Sequence, residues 1–149
     1  METWAGCSFP DEIFYDLDSD TWVRVEEEDR VTIGMTDVSQ SRSGRLVHVG
    51  WKHQGKHVER GRPLAVIESS KWVGPMRAPV SGIIVATNEF SFVEDIAIAN
   101  RDPYGEGWFY QIELDEDFDF SALANSGDAF EYYKEIIDES GLRCFRCEE

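Results

Sequence analysis

Lys71 is the residue whose setting most clearly suggests chemistry. It lies between two short runs of β-prone residues, Leu64–Glu68 and Val73-Gly74-Pro75. This pattern predicts a β-hairpin with the lysine at its tip. Most lysines in turns are simply solvated. A lysine on a tight turn held by rigid strands, however, can enter another enzyme's active site and be acylated there. We therefore predict that Lys71 carries a tethered cofactor and presents it to other proteins.

The elements that must hold this hairpin are also short strands. Trp22, Arg24 and Glu26 alternate with Val23 and Val25, and an acidic turn then leads into a second apolar run, so a β-hairpin is predicted there. Short strands and turns continue to about residue 87, which favours a barrel or a sandwich. A carboxy-terminal helix is predicted from apolar residues at helical spacing, with Asp128 as its cap and Gly141 at its end: Ala129, Phe130, Tyr133, Ile136 and Ile137.

Charge and hydropathy exclude several classes of function. The chain has 149 residues, with 30 acidic and 14 basic side chains and a formal net charge of -16. Binding to nucleic acid or to an anionic membrane requires a local excess of Lys and Arg, so neither is expected. No apolar stretch approaches the roughly 18 residues of a membrane span. We expect a cytoplasmic monomer that meets short-lived partners.

Three segments carry a family resemblance. Glu68-Ser69-Ser70-Lys71, followed by Ala78-Pro79-Val80-Ser81-Gly82, resembles the lipoylation segment of the H-protein family, the lipoyl carriers of the glycine cleavage system. The runs 21–25 and 31–37 resemble the amino-terminal hairpin of that family, and 102–108 resembles its Pro-Tyr-Gly-Glu-Gly-Trp segment. Together they cover about residues 20 to 115 in the order of the family.

The resemblance implies both a fold and a cofactor. The fold would be mainly β: a lipoyl-domain-like barrel-sandwich hybrid, that is, a flattened β-barrel of two small sheets with short connecting helices and a carboxy-terminal helix. Residues 1–20 would form a leader packed on the domain, 21–115 the carrier domain, and 116–149 the helix and tail. Lipoate would be amide-linked to Lys71 by a lipoate ligase or lipoyltransferase. The flanking recognition residues would be Glu68, Ser69, Ser70 and Trp72.

The pathway depends on the residues after the lysine. Glycine-cleavage H-proteins usually have small residues there, whereas this chain has Trp72-Val73-Gly74-Pro75. That segment resembles lipoate-binding proteins that accompany heterodisulfide-reductase-like complexes in sulfur oxidation, which is our first expectation. The alternative is a glycine cleavage H-protein that carries the aminomethyl group, and the second alternative is a scaffold module without lipoate. In the first two cases the protein is a carrier rather than an enzyme, and dihydrolipoamide dehydrogenase would reoxidise its arm.

Two further groups of residues deserve weighing. Cys144 and Cys147 have the C-x-x-C spacing of redox dithiols and form a possible redox pair, although an ordinary tail near the end of the sequence is the favoured interpretation. Three cysteines are too few for a disulfide framework, which fits a reducing compartment. His48, His53 and His57 lack nearby carboxylate or thiol ligands, so no metal site is expected.

Overall fold

Two antiparallel sheets of unequal size, connected by short helices, form the body of the protein. The computed structural model describes residues 1–145. The strands within them are β1 (Glu2–Trp4), β2 (Cys7–Phe9), β3 (Phe14–Asp16), β4 (Thr21–Glu27), β5 (Arg30–Met35), β6 (Leu46–Trp51), β7 (His57–Val58), β8 (Pro63–Ser69), β9 (Val73–Arg77), β10 (Gly82–Thr87) and β11 (Tyr110–Leu114). The helices are α1 (Asp37–Ser43), α2 (Glu89–Glu94), α3 (Ile98–Arg101) and α4 (Ser126–Ser140), with a 3-10 turn at Phe120–Ala122.

The mainly β architecture with a carboxy-terminal helix is confirmed. The larger sheet has the strand order β3-β4-β5-β11-β10-β7, the smaller one β6-β8-β9, and β1 pairs with β2 alone. One detail differs from the expected flattened barrel: the sheets do not close, because β3 and β7 end the larger sheet without pairing with each other. No helix of residues 1–145 is long and apolar enough to cross a bilayer.

The half of the β4–β5 hairpin away from its turn is buried on both faces. Val23 lies opposite Ile33, and both face the core between the sheets. On the other face the indole of Trp22 is fully buried and donates a hydrogen bond to the carbonyl of Pro103, 2.9 Å away. Its ring lies so close to Gly34 that a Cβ there would meet it at 2.8 Å. A second core therefore forms on the other side of the larger sheet. The alternation of apolar and polar residues along β4 does not by itself indicate this second core.

Helix α4 covers this second core. Ala129, Tyr133 and Ile137 form its buried stripe, as the spacing predicted. The cap differs from the prediction: the side chain of Asn125 accepts the hydrogen bond from the Asp128 backbone N–H at 2.8 Å. Asn125 precedes the first turn and has extended backbone, the geometry that an N-cap requires. Gly141 ends the helix with a φ of 70°.

A disulfide joins the two ends of the chain. Cys7 on β2 is bonded to Cys144, with a Cα–Cα distance of 4.8 Å and a sequence separation of 137 residues. The backbone N–H of Cys144 also donates to the carbonyl of Ala5 at 3.0 Å. Cys144 thus has a partner other than the Cys147 suggested by its spacing, and Cys147 lies outside the described residues. The long separation explains why local spacing did not indicate this bond.

Reduction of the Cys7–Cys144 bond should lower stability. The bond closes a long loop and therefore strongly reduces the conformational entropy of the unfolded chain. Loss of such a bond typically lowers the free energy of unfolding by about 2–4 kcal/mol. In urea titrations, we expect the free energy of unfolding of the oxidised protein to exceed that of the reduced protein by this amount. Cys144→Ser should unfold like the reduced protein and should not respond to reductant. Equal stability of the wild type with and without reductant would contradict the prediction.

Candidate functional site

Lys71 lies at the tip of the hairpin formed by β8 and β9. Glu68 pairs with Val73 across the two strands. One residue further along, the backbone N–H of Ser69 donates to the carbonyl of Trp72 at 2.8 Å, which leaves Ser70 and Lys71 at the tip. The strand β8 forms here because its apolar residues alternate between the core and the outer face of the smaller sheet. The side chain of Lys71 is exposed.

Ser69 fixes the shape of this turn from inside. Its hydroxyl donates to the carbonyl of Trp72 at 3.2 Å and accepts from the backbone N–H of Lys71 at 3.3 Å. The backbone N–H of Ser70 then donates to the carbonyl of Arg45 at 3.0 Å, just beyond α1. The turn is therefore held at its base and also docked against the chain that follows α1.

Gly44 provides the surface on which the lysine stem lies. It ends α1 with φ 80° and ψ -169°, a backbone region that is essentially restricted to glycine. A Cβ at this position would lie 2.9 Å from Cε of Lys71. Among residues 1–145 no carboxylate forms an ion pair with the Lys71 ammonium group. The amine is thus presented to solvent on a supported stem.

Trp72 and Glu68 flank the lysine on the surface. The Trp72 ring lies over Gly74, where any side chain would overlap it, and it remains 43% exposed. Glu68 is exposed on β8. The structure therefore brings the sequence-predicted residues together around one turn: Glu68, Ser69, Ser70, Lys71 and Trp72.

A cleft of about 590 Å³ opens beside Lys71. It lies between the 18–21 loop, α1 and the hairpin. Ile67, Trp72 and Met76 contribute an apolar wall, whereas Asp20 and Arg42 contribute charge. The cleft could therefore receive a long apolar chain attached to Lys71 and place a polar end near charged groups.

Asp20 is the residue of this cleft that sequence reasoning missed. It adopts a left-handed φ of 57°, accepts a hydrogen bond from the Tyr133 hydroxyl at 2.8 Å and pairs with Arg42 at 3.4 Å. Burial raises the pKa of its carboxyl, although the Tyr133 hydrogen bond and the Arg42 charge oppose this shift. Tyr133 lies 113 residues away, so no local pattern could indicate the contact.

The remaining candidates lie apart from this turn or carry no site. Within residues 1–145, no group of three His, Cys, Asp or Glu side chains could hold a metal ion. His57 contacts Asp115 at 2.8 Å. Cys144 is bonded to Cys7, and the other member of the predicted redox pair, Cys147, is outside the described part of the chain.

A two-sheet body with a lysine at the tip of a rigid hairpin defines the class of lipoyl-domain-like carriers. Comparison with known proteins gives the family. A family model described as glycine cleavage H-protein matches residues 14–136. The chain belongs to this glycine cleavage H-protein family.

Relatives over nearly the whole chain agree with this assignment. Glycine cleavage system H protein 3 of Aquifex aeolicus is 43% identical over 148 residues, covering 97% of this chain and 91% of the relative. A probable glycine cleavage system H protein 2 of Sulfolobus acidocaldarius is 39% identical, covering 95% and 96%. The crystal structure of a glycine cleavage system H protein from Mycobacterium marinum superposes with a TM-score of 0.67 at 28% identity, covering 89% of this chain and 99% of that one.

Members of this family are lipoyl carriers rather than enzymes, and they hold lipoate covalently on a lysine. The expectation of a carrier with a lipoate cofactor is therefore confirmed at this level. In this structure the exposed amine of Lys71 lies on a turn that backbone hydrogen bonds hold to β9 and to the chain after α1.

Gly44→Ala should destabilise the protein through its backbone. A residue with a Cβ is strained at this φ and ψ, and we expect a loss of about 1–3 kcal/mol in urea unfolding. Most of this loss should persist in a Lys71→Ala background, since removal of the flexible lysine relieves only the side-chain contact. Gly127→Ala in α4 is the control and should be neutral or slightly stabilising. Equal stability of the two alanine variants would contradict the assigned strain.

Asp20 should make stability depend on pH. Its pKa is raised in the folded state above the ordinary 3.8, so the folded protein binds this proton more tightly than the unfolded chain does. This contribution to the free energy of unfolding is present below about pH 4 and is lost as the pH rises through the raised value. Asp20→Asn should remove it, whereas Asp117→Asn, at an exposed position, should not. Urea unfolding between about pH 4 and 7 measures the difference.

Proposed function

We propose that Lys71 is the residue that carries lipoate. The supporting observation is its position at the tip of the β8–β9 hairpin, with the turn closed by Ser69. The other three lysines are placed differently. Lys52 and Lys56 lie in the loop between β6 and β7, and the ammonium group of Lys134 lies 4.4 Å from the centre of the Trp4 ring. Lys71 is the lysine that two paired strands hold out to solvent.

The residues around Lys71 fit an attached lipoyl group. Gly44 leaves room for the lysine stem, and the cleft beside it offers an apolar wall at Ile67, Trp72 and Met76. When bound, lipoate supplies a dithiolane that opens to a dithiol and can hold a sulfur-linked group. The chain's own residues position the arm and shield it from water, while partner enzymes supply the acids and bases.

The pathway we propose is glycine cleavage, with the arm carrying the aminomethyl group. The support is that the family model and the relatives named above bear glycine cleavage names. This was the alternative at the level of sequence, and the first expectation, sulfur oxidation, finds no support in those names. The proposed partners are the glycine cleavage enzymes, a lipoate ligase or lipoyltransferase and dihydrolipoamide dehydrogenase.

A sulfur-carrying role remains the second candidate. It is favoured by the Lys71-Trp72-Val73-Gly74-Pro75 segment, in which the Trp72 ring covers Gly74 beside the lysine. Three of the relatives, the glycine cleavage system H proteins 2, 3 and 5, come from one organism, Aquifex aeolicus. Several family members in one organism leave room for a second role. A scaffold without lipoate is disfavoured, because such a module has no need for a lysine on a turn supported in this way.

Intact mass after expression with a lipoate ligase tests the attachment. We expect the wild type to gain the mass of one lipoyl group and Lys71→Arg to gain none, because arginine keeps the charge but offers no acylable amine. Lys52→Arg and Lys134→Arg are the matched controls and should be modified like the wild type. Added mass that survives Lys71→Arg would refute Lys71 as the attachment site.

Reconstitution distinguishes the two pathways. The lipoylated protein is mixed with glycine decarboxylase, aminomethyltransferase and dihydrolipoamide dehydrogenase, with tetrahydrofolate as the one-carbon acceptor and NAD+ as the oxidant of the dithiol. Glycine-dependent formation of NADH is then measured. Turnover that requires lipoylated Lys71 supports glycine cleavage. If the same loaded protein gives no turnover with these enzymes but is reduced and reoxidised by a heterodisulfide-reductase-like complex, the sulfur-carrying role is correct instead.

A further inference from the structure

Helix α2 and the neighbouring strand β6 expose large apolar side chains. Phe90 and Val93 are three residues apart on α2 and are 77% and 78% exposed. Val47 on β6 is 53% exposed. Neighbouring exposed apolar groups of this size are a mark of interaction sites, in contrast to isolated ones, which are common on any surface.

A groove of about 460 Å³ lies between these two elements, and we call it the α2 groove. Its apolar lining consists of Val47, Val49, Trp51, Phe92, Val93 and Ile96. The Trp51 and Phe92 rings pack edge to face at 5.1 Å and form a solid base, while Val47 and Val93 stand exposed at the sides. None of the lining residues belongs to the cleft beside Lys71.

The charges at the α2 groove are acidic. Glu89, Glu94 and Asp95 line it, and no Lys or Arg within residues 1–145 does. Asp95 pairs with Arg101 at 2.6 Å, whereas Glu89 and Glu94 are exposed and form no ion pair within residues 1–145. An occupant that is apolar in its centre and basic at its edges would satisfy both the apolar lining and these carboxylates.

We propose that the α2 groove binds a partner protein through an amphipathic segment with Lys or Arg beside its apolar face. Its apolar side chains fill the groove, and its cations meet Glu89 and Glu94. A second copy of this chain is disfavoured as the occupant, because two molecules that each carry a net charge of -16 repel each other. An anionic lipid surface is disfavoured for the same reason.

The position of the groove connects it with the hairpin. Val47 follows Leu46, which pairs with Ser69 on β8, two residues before Lys71. On the outer face of the same sheet Val66 is 52% exposed, because Gly50 opposite it has no side chain to cover it. A partner held in the groove thus lies against the sheet that carries Lys71. A role of the groove in delivering the arm to a partner rests on the proposed function. The existence of the groove and its binding of a basic amphipathic segment do not.

Binding of a synthetic helical peptide tests the surface directly. The peptide has leucines on one face flanked by lysines, and a second peptide has glutamates in place of the lysines. Unlipoylated full-length protein is titrated with each, and amide chemical shifts locate the binding. We expect the lysine peptide to bind and the glutamate peptide not to bind. The amide chemical-shift changes should lie on α2 and β6. The double variant Phe90→Ser/Val93→Ser should weaken binding about tenfold while it keeps the wild-type unfolding temperature, since both residues are exposed.

Charge variants separate a specific groove from general attraction to an acidic protein. Glu89→Lys/Glu94→Lys should weaken lysine-peptide binding, and the matched control Glu116→Lys/Asp117→Lys, with the same change in net charge at exposed positions, should not. Tyr132→Ser, 42% exposed on α4, is the apolar control. The proposal is overturned if no peptide binds or if both peptides bind equally. It is also overturned if Phe90→Ser/Val93→Ser binds like the wild type, or if the two charge pairs have equal effects. Lys71→Arg should bind the peptide as the wild type does. Failure of the lipoylation proposal is therefore distinguishable from failure of the groove proposal.

Discussion

The docking of the Lys71 turn against the end of α1 is the contact on which the site depends. The Ser70 N–H bonds the carbonyl of Arg45, and the lysine stem lies on Gly44. This end of α1 is held in turn by fully buried Asn100, whose side chain donates to the Gly44 carbonyl at 3.0 Å and accepts from the Leu46 N–H at 2.9 Å. Buried polar groups that are fully hydrogen-bonded have few alternative arrangements. The position of the amine is therefore set by a buried network, although the amine itself is exposed.

The same network reaches Phe145, the last residue that the structure describes. Gln40 accepts from the Asn100 amide at 3.0 Å and donates to the carbonyl of Phe145 at 2.7 Å, next to the Cys7–Cys144 bond. The segments around Ser8 and Phe145 thus pack on α1, the helix that supports the lysine turn. A carrier with a mobile arm needs an immobile attachment point, since disorder in the turn would add to the entropy lost when the arm enters a partner. The second core behind the larger sheet supports this rigidity.

The surface combines strong acidity with local apolar exposure. A net charge of -16 opposes close approach of two copies and favours encounter with basic surfaces, over a distance that shortens as salt rises. Exposed apolar side chains then offer short-range contact, among them Val66 on the hairpin strand β8 and Phe90 on α2. Such a division suits a carrier that visits several enzymes, because electrostatic attraction speeds encounter without requiring tight binding.

The sequence by itself determined the local elements and the candidate lysine. Alternation predicted the β4–β5 hairpin, helical spacing predicted α4, and turn chemistry predicted a hairpin with Lys71 at its tip, because these properties depend on residues close along the chain. Tertiary structure alone decided the open sheets, the second core, the pairing of Cys7 with Cys144 and the contact of Tyr133 with Asp20. Each of these joins residues distant in sequence, and their partners are selected by packing and burial in three dimensions rather than by local spacing.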